Sequence, residues 1–182
     1  MGNRLTKIYT RKGDDGSTGL ADGSRIDKDA VQIEVIGELD ELNCCLGLVL
    51  VYSLPDSASR LLVQVQHKLF DLGAMVSGAD CDPVKLADIK LLEQQIDQWN
   101  NDLEPLREFI LPGGGPAAAH CHLARSVCRR LERRLAGWSR TGAMVDASVL
   151  AYINRLSDVL FVLCRVLARE NGKSETQWQK DF

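Results

Sequence analysis

Apolar residues recur along this chain at alternating steps of three and four, and five segments carry that rhythm. The first, over about residues 29–53, has Val35, Leu39, Leu42, Leu46 and Val49; the second, after Asp56, has Leu62, Val65, Leu69, Leu72 and Val76. The third follows Pro83 with Leu86, Ile89, Leu92, Ile96 and Trp99. The fourth starts near Pro116, a residue suited to a first helical turn, and ends before Gly142. The fifth carries Val149, Ile153, Leu156, Leu160, Leu163 and Leu167 and stops at Asn171 and Gly172. A period of 3.6 puts each set on one face of a helix. The five prolines fall between these segments or at the start of one. The pattern predicts an all-α fold, a five-helix up-and-down bundle with left-handed, coiled-coil-like packing, and no strand to compete with it.

Residues 1–28 break the rhythm, with five glycines, six basic residues and little periodicity. They read either as a loose tail or as an ordered N-terminal ligand-binding loop ahead of a bundle over 29–171, with a C-terminal tail at 172–182. The 182 residues make one domain with room for a real core. At 45% hydrophobic and 26% charged the chain is globular, and 5% aromatics fits a core of Leu, Val and Ala better than a β-sandwich. A net charge of −3 leaves no basic footprint for nucleic acid. Cys44, Cys45, Cys81, Cys121, Cys128 and Cys164 form no CxxC and no zinc spacing, so they read as reduced structural thiols. The apolar runs at 46–52 and 159–164 are too short to span a bilayer, and no signal peptide is recognisable. The expectation is a cytoplasmic protein with no membrane partner. The opening MGNRLT fits a myristoylation pattern short enough to arise by chance.

Charge placement changes the picture more than charge total. The fourth segment carries Arg125, Arg129, Arg130, Arg133 and Arg134, with Glu132 the one acid among them. Arg125, Arg129 and Arg133 share a face, where like charges cost about 0.2–0.5 kcal/mol per pair. In an acidic chain such a cluster calls for an anion, or a set of buried carboxylates, opposite it. In the run TRKGDDGSTG at 10–19, Gly13, Gly16 and Gly19 let successive amides turn inward as an anion nest. Thr10, Ser17 and Thr18 add hydroxyls there, and Arg11, Lys12 and Lys28 add positive charge. This is neither a Walker A sequence nor a dinucleotide fingerprint, and an ordinary polar loop also fits it. Gly172-Lys173-Ser174 looks like the end of a Walker A loop but follows a helix and lacks the earlier glycine.

On the first helix Asp40 and Asn43 flank the apolar stripe, whereas Glu38 and Glu41 read as a solvated face. Asp40 is placed to reach an arginine of the fourth helix, within the chain or across an interface. On the fifth helix Asn154 and Asp158 sit four apart in an apolar segment, either as a structural hydrogen-bond network or as a ligand contact. His120 and His122 are two apart and point in different directions, so they make no metal pair. There is no Glu-x-x-His, which removes a di-iron carboxylate bundle. Phe109-Ile110-Leu111 reads as an anchor for the glycine-rich turn or as an aromatic wall for a bulky apolar ligand.

In order, IYTRKGDDGSTGL (8–20), Arg25 and Lys28, GELDELN (37–43), FILPGG (109–114), the block from His122 and Arg125 to Arg134, and YINRLSD (152–158) resemble the PduO-type ATP:cob(I)alamin adenosyltransferases. Any one piece is weak; together, in register, they cover nearly the whole chain. The resemblance implies a five-helix bundle assembled as a homotrimer with active sites at subunit interfaces. It implies ATP as co-substrate, its triphosphate held by Thr10, Arg11, Lys12, Gly13, Thr18, Gly19 and Lys28. Arg129, Arg130, Glu132 and Arg133 would come from the fourth helix of a neighbouring subunit, with Asn154 nearby. Mg2+ would ride on the phosphates, with no protein metal site.

Cob(I)alamin would attack the ribose C5′ and triphosphate would depart, so no side-chain nucleophile is required. By the same resemblance Phe109 displaces the lower axial base of the corrin and favours four-coordinate Co(II). Asp40 and Arg125 form an intersubunit ion pair beside it, and Phe161 lines the pocket. A reductase and an adenosylcobalamin-dependent enzyme would be the protein partners. The chain departs from the family at Leu131, where alanine is usual, in the lengthened run Gly113-Gly114-Gly115-Pro116, and in its short tail after Trp178, a segment that helps close the corrin site in the family. A competing reading is a non-catalytic ATP-binding bundle that senses nucleotide or binds a protein partner.

Overall fold

The computed structural model describes residues 9–173 and 175–180. The MGNRLT pattern at 1–6, Ile8, Ser174 and the last two residues of the tail lie outside the described residues. Five helices make up the bundle: α1 (Val31–Leu50), α2 (Asp56–Val76), α3 (Leu86–Asn100), α4 (Pro116–Ser139) and α5 (Ala147–Glu170). Their starts follow local chemistry. Asp146 caps α5 by accepting from the Ser148 N–H at 2.7 Å, and the Asp88 carboxylate reaches back to the Lys85 N–H at 2.8 Å. Pro116 sits in the first turn of α4, directly after Gly115 at φ 100°.

The apolar stripes meet as their spacing predicts: Leu42, Leu46, Leu69, Leu131, Leu156 and Leu160 are among the fully buried side chains. α1 lies against α2 and α4, and α5 lies against α4 and α3. α2 and α3 meet through the Lys68–Asp88 ion pair at 3.2 Å and a Trp99–Ser57 hydrogen bond at 3.4 Å. Around the bundle the order is therefore α1, α2, α3, α5, α4. The α3–α4 connection has to pass over the C-terminal end of α5, and it is this connection that carries Phe109. Gly114 belongs to it: a Cβ there would meet the Ala168 Cβ at 2.5 Å, so the close approach to α5 requires glycine.

Two expectations need correction. The first helix is shorter than 29–53 because the chain leaves the helix at Val51 and Tyr52 turns toward α4, where its ring stacks on His120. A small antiparallel hairpin also exists, β1 (Ser17–Gly19) with β2 (Arg25–Asp27). Three-residue strands carry no alternation to read. They are held by the side chains around them instead. α5 is long and apolar enough as a whole helix to cross a membrane, although its uninterrupted apolar runs are short. It is a core element of the bundle, with Ile153, Leu156, Leu160 and Leu163 fully buried.

Candidate functional site

The described part of the N-terminal loop is tied together by its own cations. Arg25 donates to the Lys12 carbonyl at 2.5 Å and to the Ser17 hydroxyl, from Nε at 3.1 Å. The Lys28 ammonium donates to the Gly13 carbonyl at 2.7 Å, and the Lys28 N–H to the Gly16 carbonyl at 2.9 Å. Asp15 accepts from the Ser17 N–H at 2.9 Å and from its hydroxyl at 2.8 Å. Those bonds, ahead of the Arg25 charge, hold the Asp15 carboxyl below its ordinary value. Arg11 adopts φ 60°, the one described non-glycine residue with positive φ. That conformation costs about 1–2 kcal/mol outside glycine. Its guanidinium lies 5.7 Å from the centre of the Tyr9 ring. Thr10, Arg11, Lys12 and Gly19 are exposed, and Thr18 is half-buried in β1.

The arginines of α4 divide into two groups. Arg130 pairs with Glu38 at 3.4 Å and with Glu41; Arg134 pairs with Glu38 at 3.3 Å and with Glu34 at 3.6 Å. The Glu41 carboxylate, ahead of Glu38, raises the Arg130 guanidinium above its ordinary value. Glu38 is 7% exposed, which corrects its reading as a solvated residue. It sits three residues after Val35 and four before Leu42, on the flank of the apolar stripe, and that spacing was the signal for it. Glu41 is exposed yet paired. One buried and two exposed carboxylates thus stand opposite two of the five arginines.

Arg129 and Arg133 face away from those acids. Both are exposed, and Arg133 donates to the Arg129 carbonyl at 3.0 Å. Glu132 accepts from the Asn154 amide at 2.9 Å, which joins α4 to α5. Asp158 turns instead to Arg155 at 2.8 Å, within its own helix. Lys28, Gly37, Glu38, Arg130 and Arg134 line a cavity of about 390 Å³, so the loop and α4 meet inside one chain. Leu131 is fully buried beneath this face.

Phe109, Arg125 and Phe161 come from three separate segments and line one pocket of about 500 Å³, together with Ile110 and His122. Phe109 is 78% exposed. The Arg125 Nε and the His122 Nδ1 are buried with no hydrogen-bond partner among the described residues. Asp40 is elsewhere. It lines an apolar groove of about 420 Å³ between α1 and α2, with Ile36, Asn43 and Phe70, and makes no ion pair with Arg125 or another arginine of α4 among the described residues.

The family model for cobalamin adenosyltransferases matches residues 8–167. A cobalamin adenosyltransferase from Cupriavidus metallidurans is 46% identical over 182 residues, covering 100% of this chain and 98% of the relative. This chain belongs to the cobalamin adenosyltransferase family. The human corrinoid adenosyltransferase MMAB is 36% identical over 190 residues, covering 98% of this chain and 75% of the human protein. A variant of the PduO-type ATP:corrinoid adenosyltransferase from Lactobacillus reuteri, solved with cobalamin and ATP, superposes with a TM-score of 0.89 at 28% identity, covering 96% of this chain and 97% of that one.

Among the described residues the N-terminal loop, α4 and the Phe109 pocket present cations, backbone amides and the exposed ring of Phe109. Burial pushes the Cys128 and Cys164 thiols well above their ordinary value, so both stay protonated. The Cys121 and Cys128 thiols donate weakly to the Leu160 and Ile153 carbonyls, each at 3.4 Å, and serve α4–α5 packing. All six cysteines are free, with Cys44 and Cys81 exposed.

Proposed function

We propose that this chain transfers the 5′-deoxyadenosyl group of ATP to the cobalt of cob(I)alamin, giving adenosylcobalamin and triphosphate. One observation carries the reading: Phe109, Arg125 and Phe161, which the family resemblance assigns to the corrin, line a single pocket. Cobalt(I) supplies an electron pair to C5′ and becomes cobalt(III) as the cobalt–carbon bond forms. The C5′–oxygen bond breaks, and triphosphate leaves with that bond's electrons. The protein's share is to hold two large substrates in line, which can contribute several kcal/mol, and to meet the charge that grows on the leaving group.

Thr10, Arg11, Lys12, Gly13, Thr18, Gly19 and Lys28 grip the triphosphate from the loop. Arg129, Arg130, Glu132 and Arg133 meet it from α4 of a neighbouring subunit, with Asn154 nearby. Among the described residues no group of three or more His, Cys, Asp or Glu is placed to hold a metal ion. In this reading Mg2+ is carried on the phosphate oxygens, where it neutralises charge. Residues 1–28 serve as the nucleotide loop, 29–171 as the bundle and 172–182 as the tail. Six free thiols suit a reducing cytoplasm.

A homotrimer completes the site in this reading. Asp40, in the α1–α2 groove of one subunit, meets Arg125 of the next and supplies the charge that the buried Nε lacks within one chain. Asp40→Ala should lower trimer content in size-exclusion chromatography with light scattering, or raise the corrin KM. An unchanged trimer with an unchanged KM would reject that assignment. The whole reading is tested by anaerobic absorption spectra of chemically reduced cobalamin with the protein and ATP. Conversion to the adenosylcobalamin spectrum is expected. Tight ATP binding with no spectral change would favour a nucleotide-sensing bundle.

A further inference from the structure

Because the Phe109 side chain is 78% exposed, packing of its own ring does not fix where the ring points. Its backbone does. The Phe109 carbonyl accepts from the Trp178 N–H at 2.7 Å, and the Leu111 N–H donates to the Thr176 carbonyl at 2.8 Å. Between them Ile110 and Gln177 form an antiparallel bridge. The tail is thus a short strand laid against the segment that presents Phe109. A ladder of so few bonds does not persist in water unaided, so the tail needs an anchor.

Arg165 supplies it from within α5, where it is 5% exposed. Its Nε donates to Glu175 Oε1 at 2.7 Å and one Nη to Oε2 at 3.2 Å. The same Nη donates to the Glu104 carbonyl at 2.6 Å. One guanidinium therefore ties down the chain on its way to Phe109, at Glu104, and the chain that returns along it, at Glu175. Arg169, one turn on, donates to the Asp102 carbonyl at 2.6 Å. If packing alone were at stake, an apolar residue of similar volume would serve as well or better than a buried ion pair. A planar fork with several donors can hold two separate segments at fixed spacing, which an apolar side chain cannot do.

We propose that Arg165 and Glu175 form a latch that positions Phe109 through the tail strand, without either residue touching the corrin. The inference rests on the reading of Phe109 given above. It makes the tail a brace behind the aromatic wall. Two variants separate the latch from general stability. Glu175→Ala removes the acid. A chain ending at Glu175 keeps the partner of Arg165 and deletes only the strand.

Both variants should keep their ATP affinity and their rate from pre-reduced Co(I) within about twofold, and lose about tenfold or more when reaction starts from Co(II) with a reductant. The electron paramagnetic resonance signal of four-coordinate Co(II) should shrink in step, and the Leu111 amide should exchange its hydrogen faster. Equal losses from both starting states, no loss from either, or unchanged Leu111 exchange in Glu175→Ala, which keeps the Thr176 carbonyl, would overturn the latch. If the unaltered protein makes no adenosylcobalamin, it is the function that fails, and Leu111 exchange alone then decides the latch.

Discussion

Arg130 and Arg134 meet three carboxylates of α1, whereas Arg125, one turn earlier on the same helix, buries its Nε without a hydrogen-bond partner among the described residues. The first region is paired within one chain: Glu34, Glu38 and Glu41 offset the like-charge repulsion along α4 and fasten it to α1, although Glu38 Oε2 is buried without a hydrogen-bond partner among the described residues. The second is incomplete, with two buried nitrogens unanswered and a large aromatic ring turned outward. Buried polar groups are rarely left so, and those that are tend to mark sites of function. One helix thus uses two of its arginines to hold the fold and leaves the Nε of a third without a hydrogen-bond partner among the described residues. Arg129 and Arg133 are exposed on the same helix and pair with none of these acids among the described residues.

Replacing Arg129 is the sharpest way to break this division. Arg129→Ala should lower kcat by about 100-fold or more, the scale of losing a preorganised donor to developing charge, with an unchanged melting temperature. A wild-type rate would remove Arg129 from the phosphate site. Next comes Phe109→Ala, which should slow the reaction from Co(II) about tenfold more than the reaction from Co(I). Equal losses would contradict a role in axial displacement.

Glu38→Ala tests the other side. It strips a carboxylate from both Arg130 and Arg134, and since both guanidiniums are partly exposed the cost is about 1–2 kcal/mol, or several degrees of melting temperature. A loss confined to kcat would mean that Glu38 serves the reaction and not the fold. The smallest effect concerns pH. The depressed Asp15 carboxyl contributes stability above its ordinary value of 3.8, and that contribution is lost as pH falls through the lower folded value. Between pH 5 and 8 Asp15 should therefore add no slope to nucleotide affinity, and a slope abolished by Asp15→Asn would contradict this.

How far the sequence foretold these regions depends on the range of the interactions. Val35, Leu39, Leu42, Leu46 and Val49 are all buried, because a helical stripe is a local pattern that one segment carries by itself. The hairpin of β1 and β2 was invisible for the opposite reason. Arg25 and Lys28 bind carbonyls thirteen and fifteen residues away, and no periodicity records that. Glu38 was legible in part: its spacing put it beside the stripe, but only the fold sets Arg130 and Arg134 across from it. Arg165 stood as a lone charge in the apolar run VLCRVLA, a signal that a buried partner must exist, yet nothing local pointed to Glu104 or Glu175. Motif order carried the site further than spacing did, because it brought together Phe109, Arg125 and Phe161 from segments that periodicity treats separately.

The fate of the phosphates tests the central claim most directly. Phosphorus nuclear magnetic resonance of an anaerobic reaction with ATP and cob(I)alamin should show intact triphosphate appearing in step with adenosylcobalamin, one for one. Release of ADP or AMP, or adenosylcobalamin formed without triphosphate, would contradict the account.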